Sequence, residues 1–190
     1  MNAQEMFTLM RGVPGINAFG ATCQSALETG YWTSSLWQQT CNGAGLKAQQ
    51  TWIRSGKRYV AIASPEYIAN KFKTKFSNFR AYASPEEFLI DYAEKIREYY
   101  PRCIESADNF WGYFAGLRDG RWGPWATDPE YFGKLCSIGG KLAPELLGHG
   151  WRGRMHLSYR LACDRGTLSD DQKLCIQTLL KEVDENENRS

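Results

Sequence analysis

The residue whose sequence context best suits acid–base chemistry is Glu28. It falls in the final turn of a helix predicted from Asn17 to Thr29, where Asn17 can cap the first turn and Gly30 can stop the last. The backbone carbonyls at that end present negative potential. They disfavour a carboxylate placed there for structure, but they raise the pKa of a carboxyl that must hold a proton. Tyr31, Trp32 and Trp37 follow and can wall the group with apolar surface, which pushes in the same direction. A carboxyl kept protonated near neutrality is a general acid; the alternative is an exposed glutamate at a helix end.

Other chemistries find little support. The histidines are His149 and His156, both late in a Gly- and Arg-rich stretch, which suits neither a Ser-His-Asp nor a Cys-His arrangement. None of the cysteines (Cys23, Cys41, Cys103, Cys136, Cys163 and Cys175) forms a Cys-x-x-Cys pair, so no metal site is expected. They are either buried thiols or the partners of two or three disulfides in an oxidising compartment, with the pairing open. No phosphate-cradling glycine loop is present, and no cofactor is expected.

The elements that must position Glu28 read as mostly helical, with no internal repeat. Tyr31 to Arg58 is broken by Gly43, Gly45 and Gly56 and reads as an irregular loop. Arg58 to Ala63 is β-prone, and Phe76 to Tyr82 can pair with it as a small hairpin lobe. The clearest helix runs from Pro85 to about Tyr99: Ser84 caps it, Pro85 takes the first position, Glu87 completes a capping box and Pro101 ends it. Leu89, Tyr92, Ile96 and Tyr99 mark its buried face. Glu86 and Glu87 are helix-start residues. A later helix opens with Asp128 as cap and Pro129 at its first position and ends at Gly139-Gly140. The last opens at Ser169, with Gln172 three residues on, and buries Cys175 and Leu179. Residues 1–190 read as one domain, with 185–190 a frayed tail.

Composition agrees with a globular protein: 43% hydrophobic and 23% charged residues, with 7 Trp, 10 Tyr and 9 Phe that suit either a core or the faces of sugar rings. The net charge of +2 and the scatter of the basic residues speak against nucleic acid. No stretch is long and apolar enough for membrane insertion, and Met1 to Arg11 lacks the basic and apolar regions of a secretory signal.

Several segments together resemble one family. Cys23-Gln24-Ser25-Ala26-Leu27-Glu28-Thr29-Gly30 resembles the Ala-Gln-Ala-Ala-Leu-Glu-Ser/Thr-Gly signature of the bacterial glucosaminidase family, glycoside hydrolase family 73, which includes autolysins and the muralytic domain of the flagellar rod-assembly protein. Asn42-Gly43-Ala44-Gly45-Leu46-Lys47-Ala48 resembles its Asn-Leu-Phe-Gly-Ile/Val-Lys-Ala, with Gly-Ala in place of Leu-Phe. Phe79-Arg80-Ala81-Tyr82-Ala83-Ser84 and Asp91-Tyr92 resemble its Phe-Arg-Val-Tyr-Ser-Ser and the Asp-Tyr of the following helix. Trp125-Ala126-Thr127-Asp128-Pro129-Glu130-Tyr131 resembles Tyr-Ala-Thr-Asp-Pro-x-Tyr. The segments occur in the family's order.

The resemblance implies a mainly α, lysozyme-like fold with a small β-hairpin lobe beside an active-site cleft. It also implies a peptidoglycan hydrolase, an endo-β-N-acetylglucosaminidase that cuts the glycan strand between N-acetylglucosamine and N-acetylmuramic acid. Glu28 matches the family's general acid. Glu66-Tyr67 falls where family members often carry a second carboxylate on the lobe, which would activate water or stabilise the oxocarbenium ion; alternatively Ser64-Pro65-Glu66 starts a helix. Asn42, Tyr67, Trp125 and Tyr131 are expected to line the sugar site. Trp125 replaces a tyrosine, and an indole donates a hydrogen bond but accepts none. Asp128 is read as a helix cap.

The alternatives of a lytic transglycosylase, a phage endolysin and a non-catalytic wall-binding module of the same fold stay open. A wall-degrading core with many cysteines and no visible signal suggests an antibacterial effector delivered by type VI secretion. Its action would be in the periplasm, and its partner a periplasmic immunity protein that occludes the cleft.

Overall fold

The computed structural model describes residues 1–68 and 71–187, with the side chains of 64–68, 72–75, 186 and 187 outside the described set. The fold is mostly helical and lysozyme-like, with ten helices among the described residues and a two-stranded antiparallel sheet.

The central element is α2 (Ala18–Thr29). Asn17 caps it as its sequence predicts, its Oδ1 accepting from Gly20 N at 2.7 Å while its Nδ2 donates to Ala107 O at 2.9 Å. Phe19 to Ala26 are all buried, so the helix is wrapped on every side rather than on one face. It packs against α1 (Ala3–Arg11), α7 (Phe110–Gly116) and α8 (Tyr131–Leu146). Gly20 allows the approach of α7, because a methyl group there would lie 2.7 Å from the Tyr113 ring.

The hairpin is longer than the sequence suggests. β1 (Tyr59–Ile68) pairs with β2 (Lys71–Arg80) from Tyr59 opposite Arg80 to Ile68 opposite Lys71. Ser64-Pro65-Glu66 therefore continues a strand and does not start a helix, since the ladder partner across the hairpin outweighs the local helix-start signal. The segment before it is not wholly irregular either: α3 (Ser35–Thr40), capped by Ser34, and α4 (Gln50–Arg54) are short helices within it. The stretch after α3 joins the root of the lobe, with Ala48 N donating to Asn78 O at 2.8 Å and Arg80 N to Leu46 O at 2.9 Å.

α5 (Pro85–Tyr99) follows its prediction closely. Glu87 N donates to Ser84 Oγ at 3.3 Å, and the Glu87 carboxylate reaches back to Ala83 N at 2.6 Å, one residue beyond the usual box. Phe88, Leu89, Tyr92, Ala93 and Ile96 are buried, whereas Tyr99 lies at the edge of this face. α6 (Pro101–Glu105) follows after the break at Tyr100.

α8 departs from its expected bounds. Asp128 caps a turn, its Oδ1 accepting from Glu130 N at 2.9 Å, and the helix proper starts at Tyr131. It also runs through Gly139-Gly140 to Leu146. Gly140 lies against Leu179, which a methyl group would approach to 3.0 Å, so this glycine serves helix packing and not termination.

After α9 (Trp151–Asp164), α10 (Asp170–Glu187) opens with the expected reciprocal Ser169–Gln172 bonds. Its buried apolar positions are Ile176 and Leu180, while Cys175 and Leu179 are half-buried beside them. The helix continues into the residues expected to fray, and 188–190 lie outside the described residues.

All six cysteines are free thiols in this structure. Cys23, Cys103 and Cys136 are buried, and the thiols of Cys136 and Cys175 hydrogen-bond to each other across α8 and α10. No helix among the described residues is long and apolar enough to cross a membrane.

Candidate active site

Glu28 is partly buried in the last turn of α2, which Gly30 ends in a left-handed cap (φ 56°). The left-handed conformation continues through Tyr31 (φ 56°) and Trp32 (φ 61°), a costly run for residues with side chains. The turn is held from beneath: Trp32 N donates to Thr29 Oγ1 and Trp32 Nε1 to Ser25 Oγ, both at 2.9 Å. Trp32 is thereby drawn under the helix, and Trp37 is also buried. The aromatic groups bonded to the Glu28 carboxyl come from elsewhere.

Tyr131, at the first position of α8, donates its hydroxyl to Glu28 Oε1 at 2.7 Å. The Trp125 indole also hydrogen-bonds the carboxyl. Trp125 is fixed by its backbone N–H to Leu117 O at 2.8 Å and by ring contacts with Tyr100 at 5.2 Å and Tyr92 at 6.1 Å between centroids. Gly45 (φ 62°) faces the second carboxyl oxygen, and a methyl group there would sit 3.2 Å from Oε2. Burial raises the Glu28 pKa to about 7 against the opposing pull of Tyr131 and Trp125, whose donors favour the charged form. The Tyr131 hydroxyl thus engages Oε1, while Oε2 faces the backbone of Gly45.

A buried polar chain supports this end of α2. Gln24, one turn before Glu28, accepts from the Tyr92 hydroxyl at 2.6 Å, and Tyr92 in turn contacts the Tyr113 hydroxyl at 2.6 Å. Sequence reasoning did not single out Gln24. The signal was its spacing of four from Glu28, which places both on one helix face.

The motif residues divide into those at the carboxyl and those that hold the frame. Trp125 and Tyr131 meet Glu28. Asn42 does not reach the cleft: it is fully buried, its Nδ2 donates to Leu46 O and Arg80 O at 2.9 Å each, and its Oδ1 accepts from Leu46 N at 3.0 Å and Ala44 N at 3.4 Å. These bonds shape the loop that carries Gly45 and tie it to the end of β2. Gly43 is required beside it, because a methyl group would lie 2.7 Å from Phe88 and 2.8 Å from Ser25 Oγ. Arg80 bonds both Asp91 oxygens at 2.7 Å, and Tyr82 donates to Asp91 Oδ2 at 2.5 Å, so this motif clamps the root of the lobe to α5. Glu66 and Tyr67 stand in β1 opposite Lys73 and Phe72, and their side chains lie outside the described residues.

A helical, lysozyme-like frame with a hairpin lobe and one carboxyl held protonated near neutrality beside aromatic donors defines a glycoside hydrolase. A family model described as mannosyl-glycoprotein endo-beta-N-acetylglucosaminidase matches residues 8–143. The chain belongs to this glucosaminidase family and is a glycoside hydrolase of the endo-β-N-acetylglucosaminidase type. No curated protein matches it. Among solved structures it is similar to a peptidoglycan hydrolase mutant from Sphingomonas sp. A1, at 25% identity and a TM-score of 0.57, covering 82% of this chain and 95% of that one. It is also similar to the catalytic domain of the autolysin Auto from Listeria monocytogenes, at 25% identity and a TM-score of 0.53 over 72% of this chain and 77% of that one. The glycoside hydrolase domain of FlgJ from Salmonella typhimurium, at 23% identity and a TM-score of 0.54 over 74% and 97%, shares the fold.

Proposed function

We propose that this enzyme hydrolyses the glycan strand of peptidoglycan at the β-1,4 bond between N-acetylglucosamine and N-acetylmuramic acid. The observation that carries this reading is the Glu28 carboxyl, raised to about 7 by burial, with Oε1 held by Tyr131 and Oε2 facing Gly45. The similar structures described as a peptidoglycan hydrolase and an autolysin support the substrate class.

In this reading Glu28 gives its proton from Oε2 to the glycosidic oxygen as the bond to the anomeric carbon breaks. The positive charge that develops on the sugar is met by Glu66 from the hairpin lobe. Glu66 then takes a proton from the water that adds to the anomeric carbon, and Tyr67 and Trp125 help to orient the sugar. Mass spectrometry of a peptidoglycan digest tests the bond. Fragments should end in reducing N-acetylglucosamine; anhydro-muramyl ends would identify a lytic transglycosylase instead, and an absence of soluble fragments a binding module.

A peptidoglycan substrate implies action in the periplasm or cell wall. An antibacterial effector role, with an immunity protein that plugs the cleft over Glu28, extends this reading. It predicts toxicity in a Gram-negative host only when the enzyme is exported, and relief by a co-exported inhibitor. Equal toxicity without export would contradict it.

A further inference from the structure

A cavity of about 340 Å³ lined by Gln49, Lys95, Tyr99, Tyr100 and Trp122 has no part in the chemistry above. Trp122 is 86% exposed, the most exposed large hydrophobic side chain among the described residues. Leaving an indole in water forgoes the stabilisation that its burial would bring, so its position calls for a reason.

The loop that carries Trp122 is fastened along its length. Arg121 N donates to Tyr99 O at 2.8 Å, Gly123 N to Gly120 O at 3.0 Å and Trp125 N to Leu117 O at 2.8 Å. Gly120 lies so close to the Tyr100 ring that a methyl group would meet it at 2.6 Å. The backbone thus holds the indole outward on a fixed frame.

This cavity lies one ring beyond the acid. Tyr100 lines it and also contacts the Trp125 ring, tilted by 48° with centroids 5.2 Å apart, and the Trp125 indole bonds Glu28. The other groups suit a carbohydrate that carries acid substituents. Gln49 offers an amide and Lys95 an ammonium held 3.7 Å over the ring of Tyr99, whose hydroxyl is bonded to Glu98.

We propose that this cavity is a remote glycan subsite. Trp122 stacks on the apolar face of a pyranose ring beyond the scissile bond, and Lys95 pairs with a carboxylate carried by that part of the strand. The subsite rests on the glycan-strand reading of the Glu28 cleft. It makes the enzyme prefer long strands with intact acid groups over short or neutral ones.

The test compares steady-state cleavage of long glycan strands and of the shortest oligosaccharide that the wild type cuts, for Trp122→Ala, Trp122→Tyr and Lys95→Gln, with melting curves to check folding. Trp122→Ala should raise KM about tenfold on long strands with kcat unchanged and leave the short substrate unaffected, and Trp122→Tyr should restore most of the loss. Lys95→Gln should raise KM on native strands and make no difference on strands whose carboxylates have been converted to amides. Equal losses on both lengths, or none on either, would overturn the subsite. If the wild type cuts no glycan of either length, the cleft reading fails and the subsite fails with it.

Discussion

The Tyr131 hydroxyl lies 2.7 Å from Glu28 Oε1, joining the first residue of α8 to the last turn of α2 across 103 positions of sequence. The bond has two consequences. It fixes the orientation of the carboxyl through Oε1, and it partly offsets the rise in pKa that burial imposes. Tyr131 therefore tunes a carboxyl that another helix supplies.

Tyr131→Phe isolates this role. Removing a donor that favours the charged carboxylate should raise the Glu28 pKa further. The alkaline limb of kcat/KM should move to higher pH, while loss of orientation lowers kcat by about tenfold or more. The pH–rate profile on purified glycan decides. A limb that stays in place or moves to lower pH would remove Tyr131 from the tuning of Glu28.

Gly45→Ala tests the space beside Oε2. The position has φ 62°, so a side chain costs about 1 kcal/mol in strain, and the new methyl group would stand 3.2 Å from the carboxyl. Melting should fall by a few degrees, roughly as 1 kcal/mol implies for a chain of this size. Turnover should fall by more than that strain explains, about tenfold or more. Turnover that tracks stability alone would mean the leaving oxygen enters from another side.

Glu66→Gln addresses the second carboxylate of the proposed mechanism. If Glu66 activates water, turnover should drop by about tenfold or more with little change in melting temperature. An unchanged rate would return Glu66 to a strand residue without catalytic part and favour attack by the substrate's own acetamido group.

The raised pKa of Glu28 also has a stability signature. Between the ordinary value of 4.5 and about 7 the folded state binds the proton that the unfolded chain releases, so stability is lost as pH rises through that window. Glu28→Gln removes the titration. Its melting temperature should rise relative to wild type on going from pH 4 to pH 8, as thermal denaturation across the window would show. A constant difference would mean the carboxyl titrates normally.

The parts of the fold legible in the sequence were those with local signals: the Asn17 and Ser84 caps, the Gly30 stop, and the buried face from Leu89 to Ile96. α7 was not legible, because every residue from Phe110 to Gly116 is buried and no one-sided periodicity exists to read. α9 mixes Arg and Gly with scattered apolar residues, so its face is equally hard to see. The helix stop expected at Gly139-Gly140 failed because Gly140 answers to Leu179 on another helix, a contact no local window contains. At the site, position marked Glu28, and the motif resemblance marked Tyr131 and Trp125. The resemblance could not tell a sugar-contacting residue from one that shapes the loop, and Asn42 is the second kind.

The most direct test of the account is release of soluble fragments from purified peptidoglycan by wild type and Glu28→Gln, with matching circular dichroism to show that both are folded. The account predicts that the variant keeps the fold and loses release by about a thousandfold or more, since a neutral amide can fill the site of the acid but cannot give up a proton to the leaving oxygen. Release by a folded Glu28→Gln at near the wild-type rate would contradict it.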